Sequence, residues 1–234
     1  MPRLRFAPLA GALLLLPELV AAQAPVDTAA RYARIVLIRP RPGHEAEFES
    51  GYKRHLAWHA AHGDPWTWRA WTFLFGERLQ LFMDGTFHHT LGALDHPIDP
   101  AGDAADNRAN VEPHADFVAH GLYERLPFGS ATAPDSAPFV VLTTIWLQPD
   151  QEAAFRDLFN RPSLQAQAAG QGWYRLVLGG DGPEYLVFEG ARSPGAAGAL
   201  PAPLSAVPAA TLGAMVRDVR RELLRYRRDM AYHP

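Results

Sequence analysis

Four histidines fall within one segment, residues 44–63, which reads HEAEFESGYKRHLAWHAAHG, three of them in its second half. Imidazole titrates near pH 6.5, so it can give or take a proton at neutrality, and it is also the commonest metal ligand. His55 and His59 stand four apart, a spacing that on a helix lets two rings grip one ion. With helical periodicity both of them, and His62 beyond, continue the apolar stripe started by Phe48 and Tyr52. Lys53, Ala57 and Ala60 fall on the other side. The histidines therefore face inward.

Three chemistries follow. In the leading one the first half of the chain holds a pocket for a small apolar or planar ligand. His55 and His59 are its catalytic residues, acting as general base, and Tyr52, His62, Trp66 and Trp68 line it. Such a pocket would serve an enzyme that works on its ligand with little help from a cofactor. In the second, His55 and His59 bind a divalent metal or haem, with a third ligand from His88 or His89 after the Asp84-Gly85 turn. In the third the histidines are core filler in a non-catalytic interaction module. Period two places Trp66 and Trp68 on one strand face and Trp71 on the other with Arg69, for which an ion pair with a helix carboxylate is expected. The evenly spaced Asp95, Asp99, Asp103 and Asp106 do not match a calcium loop and read as turn and cap residues.

Stepping outward from these residues, the β-branched run Tyr32–Ile38 predicts a strand, stopped by the Pro-rich stretch 39–43. A helix begins near His44, with Glu45, Glu47 and Glu49 at its positive end, and Gly63-Asp64-Pro65 ends it. Strands are expected over 66–75 and 78–83, a turn-rich loop over 95–107, a second helix over 107–123, and a linker over 127–138. The pattern then returns: a strand over 139–147, a helix over 151–160, strands over 173–178 and 184–188, a loop over 193–208, and a closing helix over 211–230. A short fourth strand is expected within 121–128 of the first copy.

The second copy is in register with the first. Pro42, Glu45, Phe48 and Trp66 recur as Pro149, Glu152, Phe155 and Trp173, each 107 residues on. Arg69 recurs as Arg175 after 106, and the stretch LFMDG at 81–85 as LVFEG after 105. His55, His59 and His62 have no counterparts, because Pro162, Ala166 and Ala169 stand there. Each copy, at 32–126 and 139–232, is a ferredoxin-like βαββαβ unit, and two such sheets can bury each other face to face. On this element order and duplication the chain resembles the dimeric α/β-barrel superfamily, fused as a single-chain pseudo-dimer. The resemblance implies an α+β barrel. Its members include antibiotic-biosynthesis and haem-degrading monooxygenases and chlorite dismutase-like haem proteins, which hold ligand between helices and sheet; no motif assigns a ligand histidine here.

The N-terminus, MPRLRFAPLAGALLLLPELVAAQA, has basic residues, a short apolar run and small residues before Ala22. That layout predicts a signal peptide over 1–22 and a periplasmic or secreted protein. Removing Arg3, Arg5 and Glu18 from 22 basic and 25 acidic residues leaves 20 against 24, a formal charge of −4. A mildly acidic chain argues against nucleic acid as a partner. Zero cysteines exclude disulfides, thiolate metal sites and cysteine nucleophiles. No later apolar run is long enough to span a bilayer, so a small molecule is the expected partner, bound by a monomeric pseudo-dimer or a homo-oligomer.

Overall fold

A computed structural model describes residues 29–129 and 137–234; the expected leader and the middle of the expected linker lie outside them. In chain order the first half runs β1 (Tyr32–Pro40), α1 (Glu45–Ala61), β2 (Trp68–Phe75), β3 (Phe82–His89), α2 (Leu91–Leu94), α3 (Pro100–Asn110) and β4 (Ala115–Arg125). The second half follows with β5 (Phe139–Leu147), α4 (Glu152–Leu158), α5 (Pro162–Gln167), β6 (Gln171–Leu178) and β7 (Glu184–Ala191). It ends with α6 (Pro194–Gly198), α7 (Ala209–Met215), β8 (Val216–Tyr226) and a 3-10 turn at Arg228–Met230.

The eight strands close into one antiparallel barrel in the order β1-β3-β2-β8-β5-β7-β6-β4. Each half supplies four neighbours, β4-β1-β3-β2 and β8-β5-β7-β6, which is the ferredoxin-like order. The seams are β2·β8 and β4·β6, so the last strand of each half pairs with the other half. Alternation along β1 explains the layering. Ala33 and Ile35 point into the barrel with Trp71, Phe73, Met83, Phe87, Leu142, Tyr174 and Phe188 from both halves. An eight-stranded barrel is just wide enough for such side chains to fill. Val36 and Ile38 point outward, where Phe48, Tyr52 and Leu56 of α1 cover them together with Trp68 and Phe82. Phe155, Leu158 and Leu164 do the same over Ile145, Trp173 and Val187 in the second half.

Several expectations give way. The helix expected over 107–123 is instead α3 followed by the strand β4. Asp99 caps α3 by accepting from the Gly102 amide and Pro100 sits in its first turn, so the helix starts inside the expected loop and ends by Asn110. The helix expected over 211–230 is α7 and then β8. Both strands have sequences of weak alternation, and pairing on both edges decides their conformation: β4 lies between β1 and β6, and β8 between β2 and β5. The fourth strand of the first half is accordingly eleven residues long, not a short piece within 121–128. The strand expected over 78–83 begins only at Phe82, and Asp84-Gly85 is mid-strand, not a turn.

The ladder also corrects the repeat. Ile35 faces Gly85 while Leu142 faces Phe188, and Trp68 faces Thr86 while Gln171 faces Glu189. Across the hairpins the offset is therefore 103: Trp68 corresponds to Gln171, Ala70 to Trp173 and Asp84 to Val187. The matches of Trp66 with Trp173 and Arg69 with Arg175 do not hold. In β1 and β5 the offset of 107 does hold.

One seam carries a buried ion pair. Arg78, in the turn after β2, donates from Nε and its backbone amide to Glu222 of β8, at 2.6 and 2.9 Å, and from Nη2 to Thr144 of β5 at 3.1 Å. The Glu222 side chain is wholly buried. Gly76, at φ +116°, is needed beside it, since a Cβ there would fall 2.4 Å from the Glu222 side chain. Glu222→Gln should destabilise the protein by about 3–5 kcal/mol in urea unfolding, because it strands the guanidinium in a closed seam. A loss below about 1 kcal/mol would show the pair to be solvated.

Candidate metal centre

Helix α1 is a single unbroken element because its apolar stripe has no proline, whereas its counterpart is split into α4 and α5 at Pro162, the equivalent of His55. The inward face of α1 buries Tyr52, His55 and His59 together. Helix α3 packs across it and brings Asp103 and Asp106, three apart and hence on one face. Asp64 comes from the turn after α1 and Asp84 from the outward face of β3.

His55 Nδ1 donates to Asp106 Oδ2 at 2.8 Å, which leaves its Nε2 3.3 Å from Asp103 Oδ1. His59 Nε2 points at the same Asp103 oxygen, 3.6 Å away, and its Nδ1 lies 2.8 Å from Asp64 Oδ2. That last contact is short but off the line of an in-plane N–H, so neither ring nitrogen of His59 has a hydrogen-bond partner although the residue is 2% exposed. Asp64 is itself held by Trp68 Nε1 and the Trp66 amide, both at 2.9 Å, and Asp106 by Asn110 Nδ2 at 3.0 Å. Two imidazole Nε2 atoms thus converge on one carboxylate oxygen, each ring backed at Nδ1 by a second carboxylate. One nitrogen from each histidine and one Asp103 oxygen lie within 4.8 Å of one another.

The cluster is rich in negative charge. Four carboxylates, Asp64, Asp84, Asp103 and Asp106, surround two histidines, and Arg34 is the fixed positive charge among them. Burial disfavours the His55 cation, but hydrogen bonds to Asp103 and Asp106 outweigh it and raise its pKa. Burial likewise opposes ionisation of Asp103 and Asp64, yet the contacts with His55 and with His59, Trp66 and Trp68 hold both pKa values below the usual carboxylate range. Asp84 differs. Burial pushes it up to about 6 despite Arg34 and the Tyr52 hydroxyl, which donates to its Oδ2 at 3.1 Å, and its Oδ1 has no partner.

Of the residues singled out from sequence, Tyr52, His55, His59 and Trp68 are brought together. His62 is not: it caps the end of α1 on the surface, with Nδ1 2.8 Å from the Trp58 carbonyl and its ring stacked on Trp58 at 4.0 Å. His88 and His89 do not supply the third ligand. His88 adopts φ +64° and is exposed, while His89, with a pKa lowered to about 4 by burial and by Arg34, packs 4.4 Å from Trp66 away from the centre. The third group is Asp103. Its surroundings in the chain have the composition of turns, although Asp99 and Pro100 mark a helix start that puts Asp103 and Asp106 on one face. Arg175 does pair with a helix carboxylate, Glu152 at 3.4 Å, and with Glu124 at 2.7 Å; Arg69 lies over the Phe87 ring.

The cavity between α1, α3 and the sheet measures about 50 Å3 and is lined by Arg34, Tyr52, His55, Trp68, Asp84, Asp103 and Asn107. That is room for an ion with a water or two. A haem, which the fold's haem-binding members would suggest, does not fit there with His55 or His59 as its ligand.

No family model matches the chain, and no curated protein matches it. Solved structures do resemble it. An anthrone oxidase-like protein aligns with a TM-score of 0.57 at 11% identity, covering 86% of this chain and 94% of its own. A protein from Lactobacillus acidophilus NCFM provisionally described as a monooxygenase gives 0.53 at 12%, covering 84% and 94%. Chlorite dismutase from Candidatus Nitrospira defluvii gives 0.51 at 10%, covering 84% and 91%. These likenesses establish the fold: two ferredoxin-like units closed as a dimeric α/β barrel within one chain. At such identities they assign no residue.

Because the folded state holds Asp84 protonated up to about pH 6 while an unfolded carboxyl ionises near 3.8, deprotonation costs stability as pH rises between those values. Asp84→Asn should therefore stabilise metal-free protein at pH 8, by up to about 3 kcal/mol, and add little near pH 4. Thermal unfolding at both pH values is the check; an equal gain at both would show that ionisation is not the cause.

Proposed function

We propose that the protein binds one divalent transition-metal ion through His55 Nε2, His59 Nε2 and the Asp103 carboxylate, and uses it in oxidative chemistry on a small organic molecule outside the cytoplasm. The observation that carries this is the convergence of two buried imidazole nitrogens on one carboxylate, with Asp106 and Asp64 behind the rings. A carboxylate held to the far nitrogen fixes the tautomer that leaves the other free to ligate, a recurrent feature of metal-binding histidines. Two ligands about 2.1 Å from a common ion in a tetrahedral arrangement sit roughly 3.4 Å apart, in keeping with separations of 3.3 and 3.6 Å. The ion would also balance the surplus of buried carboxylates.

Two histidines and one carboxylate leave coordination positions open, the arrangement of non-haem oxygenases. When bound, the ion would polarise or activate a small ligand at those positions. The chain's own residues orient it: Asp106 aims the His55 ring through its hydrogen bond, Asp64 stands 2.8 Å from His59 Nδ1, and Tyr52 holds Asp84 beside the cavity. The oxidative class draws support from the names of the similar structures, an anthrone oxidase-like protein and a monooxygenase. Export draws support from the signal-like N-terminus. A metal-free pocket with His55 or His59 as base toward an organic ligand is less favoured, because it leaves Asp64, Asp103 and Asp106 facing the rings without a cation between them.

The test is metal analysis of the mature chain without a His-tag, stripped with chelator and reloaded with Fe2+, Mn2+ or Zn2+. Wild type should take one equivalent of at least one ion. His59→Ala and Asp103→Ala should lose it while keeping the fold by circular dichroism, and Asp106→Asn should weaken binding about 10–100-fold. His62→Ala and His88→Ala should bind as wild type does. Uptake should release a proton and weaken on acidification, since His55 must give up its proton to ligate. Failure of the wild type to retain any of the three ions would sink the reading.

A further inference from the structure

Beside the small cavity a second, larger one opens to the surface at the seam between β4 and β6. This cleft measures about 310 Å3, and its walls include Trp66, Leu94, Pro97, Leu122 and Leu178. Arg34 of β1 lines both cavities and so stands in the wall between them. Its side chain projects from the outward face of the barrel, half-buried, with the guanidinium 5.3 Å from the centre of the Trp68 ring.

Arg34 is unlike the other half-buried arginines of the barrel. Arg78 has Glu222, Arg175 has Glu124 and Arg227 has Glu49. The Arg34 side chain makes no hydrogen bond and no ion pair with any described residue. Asp84 and Asp103 feel its charge but lie beyond ion-pairing distance. A guanidinium is a planar fork of donors suited to a carboxylate, and this one, half-buried at the cleft with no protein acceptor, is left open to an acceptor from a ligand. Apart from His120, whose pKa is lowered by burial and by Arg34, the rest of the cleft is apolar, with one indole wall.

We propose that this cleft binds an aromatic carboxylic acid, its carboxylate on Arg34 and its ring against Trp66 and the leucines. A single guanidinium matches a monoanion. A phosphate dianion would meet one positive group and the field of the nearby aspartates. Bound in this way the acid lies across the wall from His55 and Asp103. The inference names the substrate class for the proposed metal centre, and so rests on that reading for its catalytic meaning but not for its binding.

The test uses 1-naphthoate and its neutral isostere 1-naphthamide, titrated by calorimetry and by tryptophan fluorescence into the full mature chain, metal-free and metal-loaded. Wild type should bind the acid at least ten-fold tighter than the amide. Arg34→Gln should erase that preference, and Arg34→Lys should keep part of it, having the charge without the fork. Trp66→Ala should weaken acid and amide alike, by about ten-fold. Equal binding of acid and amide to wild type, binding of neither, or a preference that survives Arg34→Gln would overturn the proposal. If Arg34→Gln fails to fold, the Lys variant and the wild-type comparison still decide it. Metal content measured on the same samples separates the two readings. Discrimination of acid from amide in a chain that takes no metal would leave the cleft standing without the centre, and a loaded chain with no discrimination would do the reverse.

Discussion

Everything in this molecule follows from the exchange of closing strands between its two halves. A ferredoxin-like sheet has two open edges and one uncovered face, and each is costly in water. Pairing β4 with β6 and β8 with β2 removes every edge at once. The same closure turns Trp71, Phe87, Tyr174 and Phe188 into a shared interior. With the inner face satisfied, the outer face is left for the helices, and the space beneath α1 is available for something other than hydrocarbon. The second half fills that space with aromatic packing, Phe159 meeting Phe155 and Trp173 edge to face. In the first half it holds charge.

Buried polar groups occur in both halves, Gln171 against Glu189 in the second, and the cluster beneath α1 shows how they are tolerated. Asp64, Asp103 and Asp106 each have a donor or a ring nitrogen facing them, so the cost of taking them from water is partly offset by hydrogen bonds to the ionised form. Asp84 has only the Tyr52 hydroxyl, and it responds by holding its proton to higher pH. His59, with both nitrogens unpaired, is the least satisfied group of the cluster. A protein that needed this space only for packing would do better with the alanine found at 166.

The sequence made the architecture legible because its strongest signals are local. The apolar runs at Tyr32–Ile38 and Phe139–Leu147, the glycine and proline stops, and the repeat spacing of 107 from the first strand into the first helix all survive reading one residue at a time. It misled where conformation is imposed from a distance. The segment Val216–Tyr226 carries arginines at helix-like intervals, yet Arg220 and Arg221 find Glu77 and Glu189 from a strand that has neighbours on both sides. His55 and His59 were visible because their spacing lies within one helix. Asp103 and Asp64 were not, since their contact with those rings is made by the fold and leaves no periodic trace in the chain. The helix start at Asp99-Pro100 was the one local sign, and it lies in a stretch that also reads as turns.

Covalent fusion of the halves has a consequence for how such a barrel can change. In a symmetric pair of identical chains every substitution appears twice, so a residue that helps one copy must be tolerated in the other. Here Pro162 can break the second helix where the first needs an uninterrupted turn around His55, and Val187 can be apolar where Asp84 is not. The two halves are free to divide labour. Charges gathered beneath one helix need not be mirrored beneath the other. No symmetry operation copies a change made in one half into its partner, so asymmetry, once begun, is free to grow.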